Sequence, residues 1–577
     1  MLWHIGNTTV RTPYRLIDAL RVLLNSPLNG NLSGREQENA FAALLHHEGV
    51  LDAPRVAAGQ PASDLGRKWR SALSQLGFIT PKLTRNIESG SIDPALSEFT
   101  QNIEGLTGRA YEITPNGHRL AQANIITAQQ ECFLRSLASY HIPSCVERHY
   151  DGDPFSPLRF TLSVIQEVSR LGGEPKLTFQ EFALYVQTAS PLTGALAAAT
   201  NIMNFRRGRE AARGNVRAYD RGLYEQVAAE LDYEQGTLDD YADLTFRYLK
   251  ATGVFRTSGR GITLSPTRSE LARLLQSEQL EPMQDREYLQ SLWVGAELPT
   301  DNEASAYAVV HDLTRNLHDR GEDTAPLPEG LVLADIEARR HELEARVMEL
   351  DEEEYARDQV NQIDEIMAWI AAIPTRGRAT LPSGESVKIP KGEGPAYLEW
   401  IVWRSFLAID SLTNKPWESR RFQIDQDFLP VHCAPGGGPD MVFEFEDVII
   451  VVEVTLTASS RQEAAEGEPV RRHVAQYAEA SDKPVYGLFI AVQIDSNTAH
   501  TFRSGDWYLR NDNKITVDIV PLTLGDFGRF LASGKGRFAE MPALLSQLMM
   551  ECRARANQDA PAWKQSINQI VARVSGD

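Results

Sequence analysis

The 577-residue sequence has few cysteines, no long apolar run and no excess of positive charge. Its four cysteines form no Cys-x-x-Cys pair, which excludes a zinc finger of the usual spacing and a dense disulfide framework. No stretch approaches the ~18 apolar residues that span a bilayer, and Met1–Ile5 lacks the basic and apolar regions that begin a signal peptide. We therefore expect a cytoplasmic protein with reduced thiols and no membrane partner.

The formal net charge is −20, which argues against a nucleic-acid partner when taken as a whole, because duplex DNA repels a polyanion. The charge is unevenly distributed, however. Residues 1–280 are neutral overall, residues 281–380 carry −14, and residues 381–577 carry −6. The first half of the chain can therefore present basic surfaces despite the total.

Two segments of the neutral half follow the outline of a winged helix, which is a helix followed by two short strands. In the first, a helix over Leu65–Leu76 is closed by Gly77, and the second of its two short strands begins at Tyr111. In the second, a helix over Leu238–Thr252 precedes a hairpin with Ser-Gly-Arg-Gly at its tip. These outlines predict two winged-helix modules in tandem.

Basic residues concentrate in the same half, above all in Asn204–Arg221, where six arginines stand against two acids. A charge run is often only a solvated helix face, but its place between two wing-like segments favours contact with DNA phosphates. Leu65–Leu76 is the candidate recognition helix, and the second hairpin supplies wing contacts. The candidate DNA-binding residues are Arg11, Arg15, Arg67, Lys68, Arg70, Arg206, Arg207, Arg209, Arg213, Arg256 and Arg260.

A long acidic helix is expected over Asp335–Ile370, which contains neither proline nor glycine. Its Asp335–Glu365 part holds twelve acids against four arginines. We interpret it as a spacer between domains rather than a functional coiled coil.

The last part of the chain has an α/β pattern that contains a pair of acids, with a helix at Ala396–Ala408 and strands near 440–445, 448–456, 485–494 and 515–520. If Glu446-Asp447 forms a two-residue hairpin turn, Asp440 lies opposite Glu453, with Cβ atoms roughly 4.5–5.5 Å apart. Like charges in a half-buried sheet repel, unless a divalent cation lies between them or one acid is protonated. Oxygen ligands favour Mg²⁺, or Mn²⁺ in its place, over zinc. The alternative is that both acids are solvated at strand ends.

Four segments together resemble the AlwI-type family of type IIS restriction and nicking endonucleases, within the PD-(D/E)xK nuclease superfamily. They are WHIGNTTVRTPYRL at the N-terminus, GPAYLEWIVWRSFLAI from Gly394, EVTL from Glu453 and EGEPVRRHVA from Glu466. The resemblance runs along essentially the whole chain. It implies an Mg²⁺-dependent enzyme that binds a short asymmetric duplex site and cuts outside it.

The resemblance also implies roles for individual residues. Asp440 and Glu453 match the metal-binding acids, with the carbonyl of Val454 as a further ligand. Glu466 matches the acid after the second strand, although neighbouring Glu468 is an alternative. Glu399 matches the acid of the first core helix, and His432 a histidine just upstream of the Pro-Asp strand. We expect the catalytic residues to be Asp440, Glu453, Glu466, Glu399 and His432.

One position departs from the general nuclease pattern, because Thr455 stands where many members have lysine. The resembled family also lacks that lysine, which places more weight on metal ions, Glu466 and either His473 or Arg472. The missing lysine supports an alternative function, a non-catalytic DNA-binding protein whose degenerate nuclease-like domain serves dimerisation. A protein-interaction scaffold built on the acidic helix explains that helix but not the acid pair.

The sequence therefore predicts a multidomain protein with a mainly α N-terminal half and a C-terminal α/β nuclease domain with a mixed central sheet. One chain with one site cuts one strand, so a double-strand break needs a homodimer or a separate catalytic subunit. The predicted domains are winged-helix recognition domains over residues 1–130 and 131–285, a helical acidic linker over 286–390, and a catalytic domain over 391–577.

Overall fold

The fold is taken from a computed structural model that divides into two compact units, Met1–Val347 and Met348–Asp577. It describes the whole chain except residues 52, 83–109, 146, 148–149, 151, 190–191, 278–282, 326–331, 376, 382–383, 385, 391, 459–460, 510 and 577. Within that described part, no helix is both long enough and apolar enough to cross a membrane.

The first unit is mainly helical, as its sequence predicts, and its helices bury one apolar stripe each. Its strands are short and belong to two small antiparallel sheets: Ile79–Pro81 with Tyr111–Ile113, and Lys176–Thr178 with Gly261–Leu264 and Phe255–Ser258. Its helices are Arg15–Leu24, Gly34–His47, Pro54–Ala57, Ser63–Gln75, Pro115–Gln122, Ile126–Ser139, Pro157–Arg170, Phe179–Glu181 (continued by the π-helix Phe182–Val186), Ala195–Ala211, Val216–Leu231, Gln235–Lys250, Ser269–Ser277, Asp285–Val294 and Glu303–Asp319, with 3₁₀ turns at Pro266–Arg268 and Pro299–Asp301.

The helix and strands of the first wing-like outline are present. The helix Ser63–Gln75 ends before Gly77, whose φ of 74° is the left-handed conformation that glycine adopts without strain. The strand that follows pairs with the second one in the register Ile79↔Ile113. The predicted wing itself falls in residues 83–109, outside the described residues.

The second outline forms the predicted hairpin, Phe255–Ser258 paired with Gly261–Leu264, after the helix Gln235–Lys250. A third strand, Lys176–Thr178, pairs with the outer side of this hairpin. The sequence did not indicate this strand, because three residues are too few to show an alternating pattern.

The second unit is built on a four-stranded sheet with the order Met441–Glu444, Ile449–Thr455, Val485–Ala491, Asp518–Thr523. The first two strands are antiparallel and the others parallel, which confirms the predicted mixed central sheet. The hairpin register Met441↔Val452 is the predicted one. The helices of this unit are Ile363–Ala372, Gly394–Leu407, Gln462–Ala480, Ser496–Arg503, Leu524–Ser533, Met541–Ala554 and Ala560–Ser575, with 3₁₀ turns at Gln359–Gln362 and Phe538–Glu540. Three two-stranded pairs complete it: Arg378–Thr380 with Ser386–Lys388, Gln423–Ile424 with Pro430–His432, and Asp506–Tyr508 with Lys514–Thr516.

The expectation of a half-buried hairpin is wrong, because both of its faces lie in the core. Val442, Ile449 and Val451, which share a face with the acid pair, are buried like the residues of the opposite face. The helix Gly394–Leu407 packs against this sheet, with Phe406 stacked on Phe443 at a centroid distance of 4.0 Å. The carboxylate of Glu453, on the second strand of this hairpin, is therefore largely shielded from water.

The acidic helix is shorter than predicted. It spans Leu333–Asp358, and a 3₁₀ turn at Gln359–Gln362 separates it from Ile363–Ala372. Its apolar stripe is buried, and in the second unit its acids pair with cations, as Glu352 does with Arg420 at 2.8 Å. Each part of the helix therefore packs against its own unit, and its role as a spacer between domains stays a prediction.

Candidate active site in the second unit

The hairpin brings Asp440 and Glu453 together. Asp440 immediately precedes the first strand, and its Oδ2 accepts a hydrogen bond of 2.9 Å from the Val454 amide. Glu453 lies near the carboxyl end of the second strand and is 8% exposed. The two carboxyl groups are close enough to hydrogen-bond to each other. The predicted juxtaposition of these acids is therefore present.

Glu399 adds a third carboxylate from the helix Gly394–Leu407, at a position only 6% exposed. Its Oε2 accepts a 2.7 Å hydrogen bond from the amide of Ala434. Burial and the nearby charge of Asp440 raise the pKa of Glu399 well above its usual range. His432, half-buried on the strand Pro430–His432, lies two residues before the amide that binds Glu399.

Glu466 is the fourth acid and begins the second turn of the helix Gln462–Ala480. It accepts a hydrogen bond from the Thr455 hydroxyl, and its partial burial raises its pKa. Glu468, which the sequence offered as an alternative to Glu466, is exposed and pairs with Arg472 at 3.0 Å. The structure therefore directs Glu466, and not Glu468, toward the end of the strand that carries Glu453.

His473 joins this group, although its sequence pattern indicated only a secondary part. Its Nδ1 lies 2.5 Å from Oε1 of Glu453, and its buried Nε2 has no hydrogen-bond partner among the described residues. His473 follows Glu466 by seven residues, which places both on one face of a helix after two turns. That spacing is the sequence signal that could have identified it.

All four acids of this group have a raised pKa. Burial raises the pKa of Asp440, and the neighbouring Glu453 adds repulsion. Burial raises the pKa of Glu453 to about 8, against the hydrogen bond from Asp440, which lowers it. Burial also lowers the pKa of His473, which favours the neutral imidazole. Among the described residues, none of the four acids forms an ion pair with lysine or arginine.

A more compact three-ligand group lies in the first unit, where ligand atoms of Glu131, Glu337 and His341 come within 4.8 Å of one another. Its charges are already balanced, since Arg340 contacts Glu131 at 2.8 Å and Glu337 at 2.5 Å. Arg135 lies 2.9 Å from Glu131 as well. Two guanidinium groups occupy the space around these acids, so we interpret this group as a structural ion-pair network.

Several predicted DNA-binding residues are engaged within the first unit. Arg206 binds the buried Glu181 at 2.8 Å and the carbonyl of Lys176 at 2.7 Å. Arg209 pairs with Asp220, Arg70 with Glu38, Arg11 with Asp240, and Arg15 donates to the Val50 carbonyl.

The remaining predicted cations lie on the surface of the first unit. Arg67, Arg207, Arg213, Arg256 and Arg260 are exposed, as are Arg217 and Arg221 of the helix Val216–Leu231. Arg67, Lys68 and Arg70 line a cleft of about 540 Å³ beside the N-terminal loop that contains Asn7.

A sequence profile of the AlwI restriction endonuclease family matches residues 74–530, which include all four acids and His473. The chain belongs to the AlwI restriction endonuclease family. Membership in this family identifies a restriction nuclease. Among solved structures, the small subunit (R.BspD6I2) of the heterodimeric restriction endonuclease R.BspD6I is similar over 36% of this chain and 98% of its own, with 22% identity and a TM-score of 0.28. The comparison with curated proteins gives no match.

Proposed function

We propose that this restriction nuclease is an Mg²⁺-dependent endonuclease that binds a short asymmetric duplex site and hydrolyses a phosphodiester outside it. The observation that carries the proposal is the convergence of the buried Glu399 and Glu453 with the half-buried Asp440 and Glu466, which have no ion pair to lysine or arginine among the described residues. Uncompensated buried carboxylates are costly to keep. They are understandable where a divalent cation balances them.

The donor set fits Mg²⁺, and Mn²⁺ meets the same requirement. The carboxylates of Asp440 and Glu453 and the carbonyl of Val454 would hold the ion, with water completing the octahedron that Mg²⁺ prefers. When bound, the ion supplies a water of lowered pKa and polarises the scissile phosphate. Among the described residues, no further His, Cys, Asp or Glu offers a ligand atom within 4.8 Å of both acids, so water and a phosphate oxygen would have to supply the other ligands.

The chain's own groups then have distinct tasks. The Val454 amide fixes the direction of the Asp440 carboxylate, and Nδ1 of His473 does the same for Glu453. Glu466, held by the Thr455 hydroxyl, positions the attacking water and accepts its proton. Glu399 adds negative charge beside Asp440 and holds the Ala434 amide, which orders the segment after His432.

We propose that the first unit supplies DNA affinity and sequence choice through two winged-helix modules, over residues 1–130 and 131–285. The helix Ser63–Gln75 would read base edges in the major groove, since Arg67, Lys68 and Arg70 line the cleft that it shares with the N-terminal loop. The exposed arginines of the hairpin and of residues 204–221 would bind phosphates. The enzyme would act in the cytoplasm on duplex DNA.

The experiment compares Asp440→Asn with Glu468→Gln, a matched change of a nearby exposed acid, on supercoiled plasmid with and without Mg²⁺. Loss of an acid that holds the ion removes several kcal/mol of transition-state stabilisation, so cleavage by Asp440→Asn should fall by about 10³-fold or more. Site-specific DNA binding should persist in the variant. Retained cleavage would overturn the assignment of the site, and no Mg²⁺-dependent cleavage by the unaltered protein would support the non-catalytic DNA-binding alternative.

The same assay addresses strand number. One chain carries one such site, so a monomer produces nicked circles. Linear product that increases with enzyme concentration indicates a transient homodimer, and linear product that requires a second polypeptide indicates a separate catalytic subunit.

A further inference from the structure

The site lacks the lysine that many nucleases of this superfamily place two residues after the second acid. Thr455 stands there, and its hydroxyl is already bound to Glu466. A phosphate undergoing hydrolysis carries negative charge that a nearby cation stabilises. Another residue of the chain must supply that cation if metal ions alone do not.

The arginines that follow Glu466 are directed elsewhere. Arg472 forms its ion pair with the exposed Glu468. Arg471 donates to the carbonyl of Asp506 and lies over the ring of Trp507, 5.4 Å from its centroid. Neither side chain is held toward Asp440.

The side chain of Arg421, in contrast, lies beside the segment that enters Asp440. Its amide donates to the carbonyl of Asp440 at 3.1 Å, and its guanidinium donates to the carbonyls of Pro439 at 3.2 Å and Gly436 at 3.4 Å. The side chain thus lies along the segment that leads into the metal-binding acid. The preceding residue, Arg420, points away and pairs with Glu352.

The charge of Arg421 remains available. Among the described residues it has no carboxylate partner, unlike Arg420 and Arg472. Its field reaches the site, since burial raises the pKa of Glu453 and the charge of Arg421 opposes that rise. Two hydrogen bonds to carbonyls occupy only part of the five donors of a guanidinium, which leaves N–H groups for a phosphate oxygen.

We propose that Arg421 replaces the missing lysine and binds a non-bridging oxygen of the scissile phosphate, where it stabilises the transition state. The inference rests on the proposed nuclease function. In the step it assists, the water oxygen bonds to phosphorus, the bond from phosphorus to the leaving sugar oxygen breaks, and the proton of water passes to Glu466. Arg421 neither gains nor loses a proton.

The first test compares Arg421→Met, Arg421→Lys and the control Arg472→Met in single-turnover cleavage at saturating DNA. Loss of one donor to a developing oxyanion typically costs about 10²–10³-fold in rate, so Arg421→Met should lose that much. Arg421→Lys should recover part of the rate, because it restores charge without the fork of donors. Arg472→Met should cleave within a few-fold of the unaltered enzyme, and all three should keep their melting temperature and DNA affinity.

The second test moves the guanidinium without removing it. A Cβ added at Gly438 would lie 2.5 Å from Nη1 of Arg421, which must shift, whereas a Cβ at Gly436 meets nothing within 4 Å. Because the atom that moves is the end of a flexible side chain, Gly438→Ala should fold normally and cleave slowly. Gly436→Ala should cleave normally. In an Arg421→Met background, Gly438→Ala should cost little more, since both changes remove one interaction.

The outcomes separate this inference from the proposed function. If Asp440→Asn is inactive while Arg421→Met cleaves at the normal rate, the inference fails and the function stands. Fully additive effects of Gly438→Ala and Arg421→Met would also overturn it. A last readout is a phosphorothioate at the scissile position: the cost of Arg421→Met should shrink for one diastereomer only, which a merely structural arginine would not produce.

Discussion

Two partly buried groups of acids, one in each unit, differ in how their charge is balanced. In the first unit, Glu131, Glu337 and Glu344 surround Arg340, which is only 1% exposed, and all three pair with its guanidinium. In the second unit, Asp440 and Glu453 face each other with a histidine as their nearest basic partner. Closeness of acidic ligands alone therefore does not identify a metal site, because arginines already neutralise the acids of the more compact group.

The pKa of Glu131 in the first group is lowered and that of Glu453 in the second is raised, which reflects the same difference in charge balance. Burial would raise the pKa of Glu131, but Arg340 and Arg135 outweigh it and lower that pKa to about 2. Burial raises the pKa of Glu453 to about 8, and no arginine is close enough to reverse the effect. The first group is stable with its acids ionised, whereas the second calls for a proton or a metal ion.

Replacing the central charge of each group should therefore change stability in opposite directions. Arg340→Met removes the shared partner of the buried Glu344 and the partly buried Glu131 and Glu337 and should cost up to about 3–5 kcal/mol of unfolding free energy, since Arg135 and Arg268 still pair with Glu131 and Glu344. Asp440→Asn relieves repulsion and should raise the melting temperature of the protein in a chelator. Denaturant unfolding of both variants without Mg²⁺ measures the two effects.

The control for this pair is Arg472→Met, which removes an exposed arginine and should change stability by no more than an ordinary surface substitution. If Asp440→Asn destabilises the metal-free protein as Arg340→Met does, the two groups do not differ in how their charge is balanced. Added Mg²⁺ should stabilise the unaltered protein through binding to the folded state, and should fail to stabilise Asp440→Asn.

The pH dependence of stability should also separate the groups. The folded pKa of Glu453 is about 8 against an ordinary 4.5, so the folded state binds the extra proton and stability falls as pH rises from about 4.5 to 8. Glu131 has a lowered pKa, so its contribution is present above pH 4.5 and is lost as pH falls toward 2. Denaturation midpoints measured in a chelator across this range, for the unaltered protein and Glu453→Gln, give the difference curve.

That curve should fall with rising pH and flatten when Mg²⁺ is added, because the metal ion replaces the proton. Asp440 and Glu453 shift each other's pKa, so the difference curve reports the titration of the pair and not of Glu453 alone. A difference curve that rises with pH would mean that a cation of the protein already balances this carboxylate.

Sequence patterns predicted the second unit well for a physical reason. The two-residue turn at Glu446-Asp447 fixes the register of the hairpin, and the Asp440–Glu453 pairing follows from it. The burial of the face that carries the acid pair was not predictable, since it depends on helices distant in sequence. Arg421 escaped notice for the same reason: nothing in its neighbours indicates that its guanidinium lies along the segment entering Asp440.

In the first unit, the run of six arginines looked uniform, but tertiary structure divides it. Arg206 forms an ion pair with the buried Glu181. By contrast, Arg213, Arg217 and Arg221 are exposed and form no ion pair in the described part of the chain. The contrast between balanced and unbalanced charge therefore extends from acids to cations, and we propose phosphate binding for Arg213, Arg217 and Arg221.

The smallest predicted effect tests that division. Changing Arg213, Arg217 and Arg221 together to alanine should weaken DNA binding and reduce the slope of log affinity against log salt by about 0.9 for each phosphate that the protein no longer neutralises. Arg206→Ala should instead lower stability, because it leaves Glu181 buried and unpaired, while the salt slope stays the same. Fluorescence titrations at several salt concentrations, combined with melting curves, distinguish the two. An unchanged slope in the triple variant would mean that these arginines only contact solvent. Unpaired charge would then indicate a functional site only where the charged groups are also shielded from water, as at Asp440 and Glu453.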